Sequence, residues 1–526
     1  MSRLVIFAPL VIILFPFAYV KGKSISKGRI IMSVKPQYNT HHYTSELCKL
    51  QSQSIVECRL QSGEIASVLT VHARAVPEEI TCLDGEVKYS GKLFVTVVYR
   101  DLDGKICRAE RGAEFFHKAQ NDKINPSCFA KADFVCNGIK TRREGSGFFL
   151  SIVVEAKICV YGSLGVEYLV SGEGLEMKTT SAQVYKTICV SGDTEEEDVF
   201  EMDGVSDVLL HSERANVAQA FVSNGKISII GEVNLSLCLL KDESVCSYER
   251  QIPFTVELPI DEWTEKMPVN AKTEVKSAIL NVNTDEETGK SRVSLSLVLY
   301  SECLTYLKEE ITVCDDLFST ENELVIKRQK VGGRYLTNVQ RFTERIGGGA
   351  SLSLSFEGKI GLQSVVNPRV EIAFKRTGGV NGDAEGYVEA ELLFCGEDGV
   401  KSTSVTLPFV FPVQADEGEV EIEGSVYGLS VRRLGSKFEA EGTLKVIVKS
   451  YRESSCEFVC AVEEGKVIEK KTSAVSIYIP TVGDGLWEIA KKLGCKCEDV
   501  VKSNPELEFP IKGGERLFIY RQIKDA

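Results

Sequence analysis

Most of this chain alternates. In Ser351-Leu-Ser-Leu-Ser-Phe356 every second residue is apolar, and Val293, Leu295, Leu297 and Leu299 alternate with Ser294 and Ser296. Successive side chains leave a strand on opposite faces, so a period of two predicts half-buried β-strands. Asp103-Gly104, Asn137-Gly138, Asn224-Gly225 and Asp398-Gly399 punctuate these strands as turns. Helical periodicity is confined to the C-terminal tail. There Ile477 and Ile479 alternate as in a half-buried strand, and Leu486, Ile489, Ala490 and Leu493 share one helical face. Asp484 stands where an N-cap belongs, and Gly494 where a helix stops. Residues 498–503 predict a second short helix, closed before Pro505, and Leu517 and Ile519 a second strand. A unit this small has a marginal core, which places Trp487 inside it.

The strands repeat. Arg74, Gly85 and Gly91 recur as Arg214, Gly225 and Gly231; Arg214, Gly231, Pro253 and Phe254 recur as Arg369, Gly386, Pro408 and Phe409. Each glycine leads into an apolar strand (92–99, 232–240, 387–394), and each unit closes on a long one (148–160, 293–306, 438–451). Such units suit two-layer β-sandwiches. The expected bounds are 44–190, 199–326, 350–470 and, for the tail, 475–522. The acidic stretch 192–198, the Gly- and Arg-rich stretch 327–349 and the short stretch 469–473 are the expected seams. The repeated arginines read as structural, each pairing within its own unit.

The apolar 95–99 core, the Ile-Pro-Phe and Leu-Pro-Phe steps at 252–254 and 407–409, and repeated units ahead of such a tail resemble the SPOCS-domain proteins of spore-forming bacteria. Unit one departs from them, with Glu114-Phe115-Phe116 where the others have Pro-Phe. The strand–helix–helix–strand tail, with its Gly-Asp-Gly-Leu and Asn-Pro steps, resembles a LysM module. The fold class expected is therefore mainly β: three tandem SPOCS-like sandwiches followed by a small βααβ LysM domain. The LysM resemblance implies a ligand groove between two loops, formed by Gly483, Asp484, Gly485 and Leu486 and by Asn504, Pro505, Pro510 and Ile511. Gly485 replaces the family's usual Thr and Gly513 its frequent Pro, both in or beside those loops.

Composition narrows the function. Lys plus Arg number 62 against 75 Asp plus Glu, a net charge of −13 without a basic block, which speaks against nucleic acid as a partner. Of the 17 cysteines, many lie in apolar strand contexts, as Cys159, Cys238 and Cys303 do. Buried reduced thiols and late oxidative cross-linking are both open. Residues 1–31 hold an apolar stretch after Arg3, readable as a signal peptide or anchor. Alternatively translation starts at Met32, and residues 26–31 are a translated ribosome-binding site. The five histidines form no His-Glu-x-x-His, and no Gly-x-Ser-x-Gly elbow exists. Residues 85–92 resemble a phosphate loop but are one residue too long and lie on a strand. Asp101-Leu-Asp103-Gly reads as a hairpin turn rather than a calcium loop, and His41-His42 is a weak metal candidate. No catalytic residue, cofactor or metal is assigned.

The family resemblance implies a non-enzymatic scaffold of the spore coat or envelope, working on the mother-cell side of the forespore membrane. No peptidoglycan is exposed there, so the tail is expected to dock a protein: the morphogenetic ATPase layer at the coat base, or other coat proteins. The alternative is an exported cell-wall protein whose tail binds the N-acetylglucosamine glycan of peptidoglycan.

Overall fold

A computed structural model describes residues 34–520 except 62–63, 242–243, 286, 353–362, 397–398, 435–436 and 469–474. Residues 1–33, including the proposed start at Met32, and the expected seam at 469–473 lie outside it. The protein is mainly β, and one pattern of six strands occurs three times. Repeat 1 contains β1 (Lys35–Gln61), β2 (Ile65–Leu83), β3 (Glu86–Asp101), β4 (Ile106–Gln120), β5 (Phe129–Glu144) and β6 (Gly147–Glu173). Repeat 2 contains β7 (Glu176–Asp203), β8 (Asp207–Ser223), β9 (Lys226–Lys241), β10 (Ser244–Pro259), β11 (Val269–Thr284) and β12 (Lys290–Phe318). Repeat 3 contains β13 (Asn322–Leu352), β14 (Gln363–Gly378), β15 (Asn381–Gly396), β16 (Gly399–Gln414), β17 (Glu419–Leu434) and β18 (Lys437–Val467).

Strands two to four of each repeat form an antiparallel meander. The last two form a hairpin to which the first strand adds as an edge, giving β1-β6-β5 and its counterparts. The two sheets face each other over an apolar core. In repeat 1 Leu93, Val95 and Val97 of β3 meet Leu150, Ile152 and Val154 of β6, all essentially solvent-free. In repeat 3 the two sheets also join, through Ser351 and Leu352 of β13 paired with Thr406 and Val405 of β16.

The other two expected seams are strand. Residues 192–198 lie inside β7, paired along β12, and 327–349 lie inside β13, paired along β18. Their polarity is that of an edge: β7 has a neighbour on one side only, and charge along an open edge discourages pairing with other chains. Asp198 is no linker residue either, since Arg250 grips its carboxylate from Nε and Nη2. Asn224-Gly225 is a tight hairpin turn with both φ positive, at 51° and 73°. Asn137-Gly138 is not a turn but a bulge inside β5, where the register with β6 shifts.

The repeated glycines have a packing reason. Gly91, Gly231 and Gly386 pair directly across the meander with Phe115, Phe254 and Phe409. A Cβ at Gly91 would lie 2.6 Å from both the Phe115 ring and the Val76 carbonyl oxygen. At Gly231 it would overlap the Asn216 carbonyl and the Phe254 ring, and at Gly386 the Glu371 carbonyl. Repeat 1 therefore keeps the aromatic partner although Glu114 replaces proline.

The three repeats close around a common axis. At one end Val98, Cys238 and Leu393, which occupy the same place in their repeats, form a shared apolar layer with Val245 and Val400. At the other end the sheets narrow. The outer strands β5, β11 and β17 begin opposite Tyr161, Thr305 and Tyr451, and none of them extends beyond. Beyond that point each repeat continues as a two-stranded ribbon, and the three ribbons bury Tyr168, Val313 and Phe458, then Leu169, Cys314 and Val459, against one another. A bulge follows this last layer in every ribbon, at Val170, Asp315 and Cys460. Ion pairs cross each seam: Lys131 to Glu302 (3.3 Å), Lys49 to Glu421 (3.1 Å), and Lys445 to Glu232. Tyr185 stacks on Tyr335 with ring centroids 3.6 Å apart.

The repeated arginines also work across seams rather than within their own units. Arg74 donates to the Val275 carbonyl of repeat 2 (2.9 Å). Arg214 donates to the Pro368 carbonyl of repeat 3 (3.4 Å), and Arg369 to Asn137 Oδ1 of repeat 1 (3.4 Å). The contacts run one to two, two to three, three to one. Burial pushes the thiols of Cys238 and Cys303 up to about 11 and about 12, so as reduced thiols they stay protonated at neutral pH.

Because the glycine–phenylalanine contact leaves no room for a methyl group, Gly231→Ala is expected to cost about 1–3 kcal/mol by overpacking. Gly112→Ala, where a Cβ meets nothing within 4 Å, is the matched control with little effect. Urea or thermal unfolding of the two variants measures the difference.

Candidate docking module at the C-terminus

The tail folds as β19 (Val475–Tyr478), α1 (Leu486–Leu493), α2 (Cys497–Ser503) and β20 (Leu517–Tyr520). Ile489, Ala490, Val500, Leu517 and Ile519 are its core. Gly494 ends α1 in the left-handed conformation (φ 61°, ψ 44°), as expected. The N-cap differs: Gly485 holds that place with extended backbone and no side-chain cap. Asp484 sits one residue earlier, where its carboxylate accepts the Thr481 N–H (3.0 Å) and the Lys492 ammonium (3.1 Å). The face of β19 is also reversed. Ile477 and Ile479 are 62% and 70% exposed, because Ser476 and Tyr478 pair with Ile519 and Leu517 and share their inward face.

The two loops expected to bound a groove do come together. The Gly483 N–H donates to the Ile511 carbonyl (2.9 Å), and the Ile511 N–H to the Asp484 carbonyl (3.0 Å). This contact pairs the N–H groups of Gly483 and Ile511 with carbonyls of the facing loop. Asn504 is likewise committed: its amide donates to the Val500 and Phe518 carbonyls (both 2.8 Å) and accepts the Phe518 N–H (2.7 Å). Ile511 points into the core at 2% exposure. Gly485 and Leu486 are half-buried, while Pro505 and Pro510 are exposed on the rim. Gly513 has φ 117°, which proline cannot adopt, and a Cβ there would lie 2.9 Å from Val482.

The module is docked on repeat 2, which sequence reasoning missed. Phe318, the last residue of β12, enters the tail's own core. Trp487 is half-buried rather than enclosed: its ring lies 5.1 Å from that of Phe318, and its indole N–H donates to Asp316 Oδ2 (2.9 Å). The Lys491 ammonium reaches both Asp316 oxygens at 2.7 Å. Asp316 directly follows the bulge at Asp315. No local signal marks it, since its partners lie far along the chain. Two exposed ion pairs, Lys178–Glu488 (3.7 Å) and Lys496–Glu176 (3.8 Å), border the contact and add little. Outward, Val475 and Ile477 of β19 and their partners Tyr520 and Phe518 of β20 form one exposed apolar face, continued by Ile479 and Val482.

Burial raises the Asp316 carboxyl, but the bonds from Lys491 and Trp487 outweigh it and hold it below its ordinary 3.8. A depressed carboxylate stabilises docking above its unfolded pKa, and that contribution disappears as pH falls through the folded value. Docking should therefore be at full strength at neutral pH and weaken below about pH 4. In a Trp263→Phe background, Trp487 emission is expected to shift to the red on acidification, and Asp316→Asn to show the shifted spectrum already at neutral pH. Among the described residues no group of three His, Cys, Asp or Glu side chains could hold a metal ion, and no helix is long and apolar enough to cross a membrane. Compared with protein-family models, curated proteins and solved structures, the chain matches none.

Proposed function

We propose that this chain is a non-enzymatic scaffold of the spore coat or envelope, with three SPOCS-like β-sandwich domains closed into one body and a LysM-like module displayed at its end. The module docks a protein at the forespore surface, the morphogenetic ATPase layer at the coat base or another coat protein. The observation that carries this reading is the outward apolar face of Val475, Ile477, Phe518 and Tyr520. An unbroken exposed patch of this kind marks interaction surfaces, and buried aromatics dominate the energetics of protein interfaces. The groove loops favour the same choice, because Gly483, Asp484 and Ile511 bond to each other through their backbones and the Asn504 amide is taken up by Val500 and Phe518.

The full chain should be used in the test, since Phe318 of repeat 2 belongs to the module's core. Ile477→Asp combined with Phe518→Ser is expected to weaken binding to the coat-base ATPase layer by about tenfold or more. Both side chains face solvent, so the melting temperature should barely move. Tight binding of the native chain to purified muropeptides, with no affinity for the coat-base layer, would overturn the reading in favour of an exported wall protein.

A further inference from the structure

Between the three repeats lies a cavity of about 1090 Å³, with walls from all of them. We infer that this axial cavity is a binding site for a small polyvalent oxyanion, held by Arg74, Arg214 and Arg369. Each arginine comes from the same position of its repeat, so the three approach one space from three sides. Each makes a single hydrogen bond to a neutral acceptor, two of them at 3.4 Å. None of the three forms an ion pair with a carboxylate among the described residues, although Arg74 is near enough to Glu213 to help hold its carboxyl down. A guanidinium carries five N–H donors in a planar fork suited to phosphoryl and carboxyl oxygens. Most of that capacity is unused here.

The rest of the wall points the same way. Eight cationic and five carboxylate side chains line the cavity in a chain of net charge −13, and of the cations Lys272 is paired with Asp133 and Glu274 just outside the wall. The five carboxylates include Glu371 and Glu389 on the repeat 3 wall. The other carboxylates are held: Glu232 by Lys445, Glu423 by Lys449 (2.7 Å), and Glu155 by the Asn137 amide (3.2 Å). Arg341, also on the wall, leaves a buried Nε–H without a partner, an unsatisfied donor of the kind a bound ion or water relieves. Loss of hydration lowers the Arg214 and Arg341 guanidiniums below their ordinary range, although Arg214 keeps solvent contact through the cavity. Cations lining one cavity repel one another, and an anion between them would remove that cost while tying all three repeats together.

Inorganic triphosphate and citrate represent the phosphoryl and carboxyl forms of such a ligand. Each is titrated into the full-length protein at an ionic strength held constant with NaCl, and calorimetry and the melting temperature are followed. A single saturable site and a raised melting temperature are expected for at least one of them. The triple variant Arg74→Gln, Arg214→Gln, Arg369→Gln, shown to be folded by circular dichroism, should bind about tenfold more weakly or worse. Should the triple variant not fold, Arg214→Gln and Arg369→Gln singly serve instead, since each gives up only one 3.4 Å bond. Arg214→Lys, which keeps the charge and loses the fork, should also bind more weakly. Lys226→Gln, on the outer surface, should bind as the native chain does. Binding of triphosphate alone assigns a phosphoryl ligand, and of citrate alone a carboxylate. Absence of saturable binding by the native chain, or undiminished binding by the arginine variants, would overturn the inference.

Discussion

Each repeat extends a hairpin beyond the strand that supports it. Beyond the ends of β5, β11 and β17, what remains is a two-stranded ribbon with one apolar face and nothing of its own repeat to cover it. A lone two-stranded ribbon is marginal in water. The ribbons solve this together, by laying Tyr168, Val313 and Phe458 and then Leu169, Cys314 and Val459 on a common axis. Closure at that end fixes how the repeats face one another. The upper apolar layer, the cross-seam arginines, the axial cavity and the seat of the C-terminal module all follow from it. Arg334 illustrates the coupling: its guanidinium lies 3.5 Å over the Tyr451 ring and pairs with Glu421 of its own repeat (2.9 Å) and Glu46 of repeat 1 (3.9 Å).

The same device explains why the tail is not a loosely tethered tag. The bulge that ends the axial layer recurs in every ribbon, yet only in repeat 2 is it followed by the aspartate that meets Trp487 and Lys491. Phe318 then completes a small core that is marginal alone. A module anchored through α1 leaves its β19–β20 strand pair free. The apolar residues outside that strand pair are thus displayed in a fixed direction relative to the body.

Legibility varied with the range of the interaction. The alternation, the turn at Asn224-Gly225 and the helix stop at Gly494 were read directly, because a turn or a strand face is decided by a few neighbouring residues. The recurrence of Gly91, Gly231 and Gly386 was visible, while its reason, a phenylalanine directly across the sheet, was not. The stretch 192–198 looked like a linker because an exposed edge strand and a solvated loop share the same composition. The reversed face of β19 has a related cause: in so short a strand the pattern of two isoleucines fits either face, and β20 makes the choice.

By itself, then, the order of residues determined the strand-rich class, the repetition of a unit and the βααβ order of the tail, since all of these rest on local periodicity and on glycine at sharp turns. Tertiary structure alone decided that the repeats close into a ring, that Arg74, Arg214 and Arg369 each reach into the next repeat, and that Trp487 sits at the border of the core, against Phe318 and Asp316. The physical reason is common to all three. They depend on which apolar faces remain uncovered once each repeat has satisfied itself, and that is a property of the folded surfaces, not of any stretch of chain.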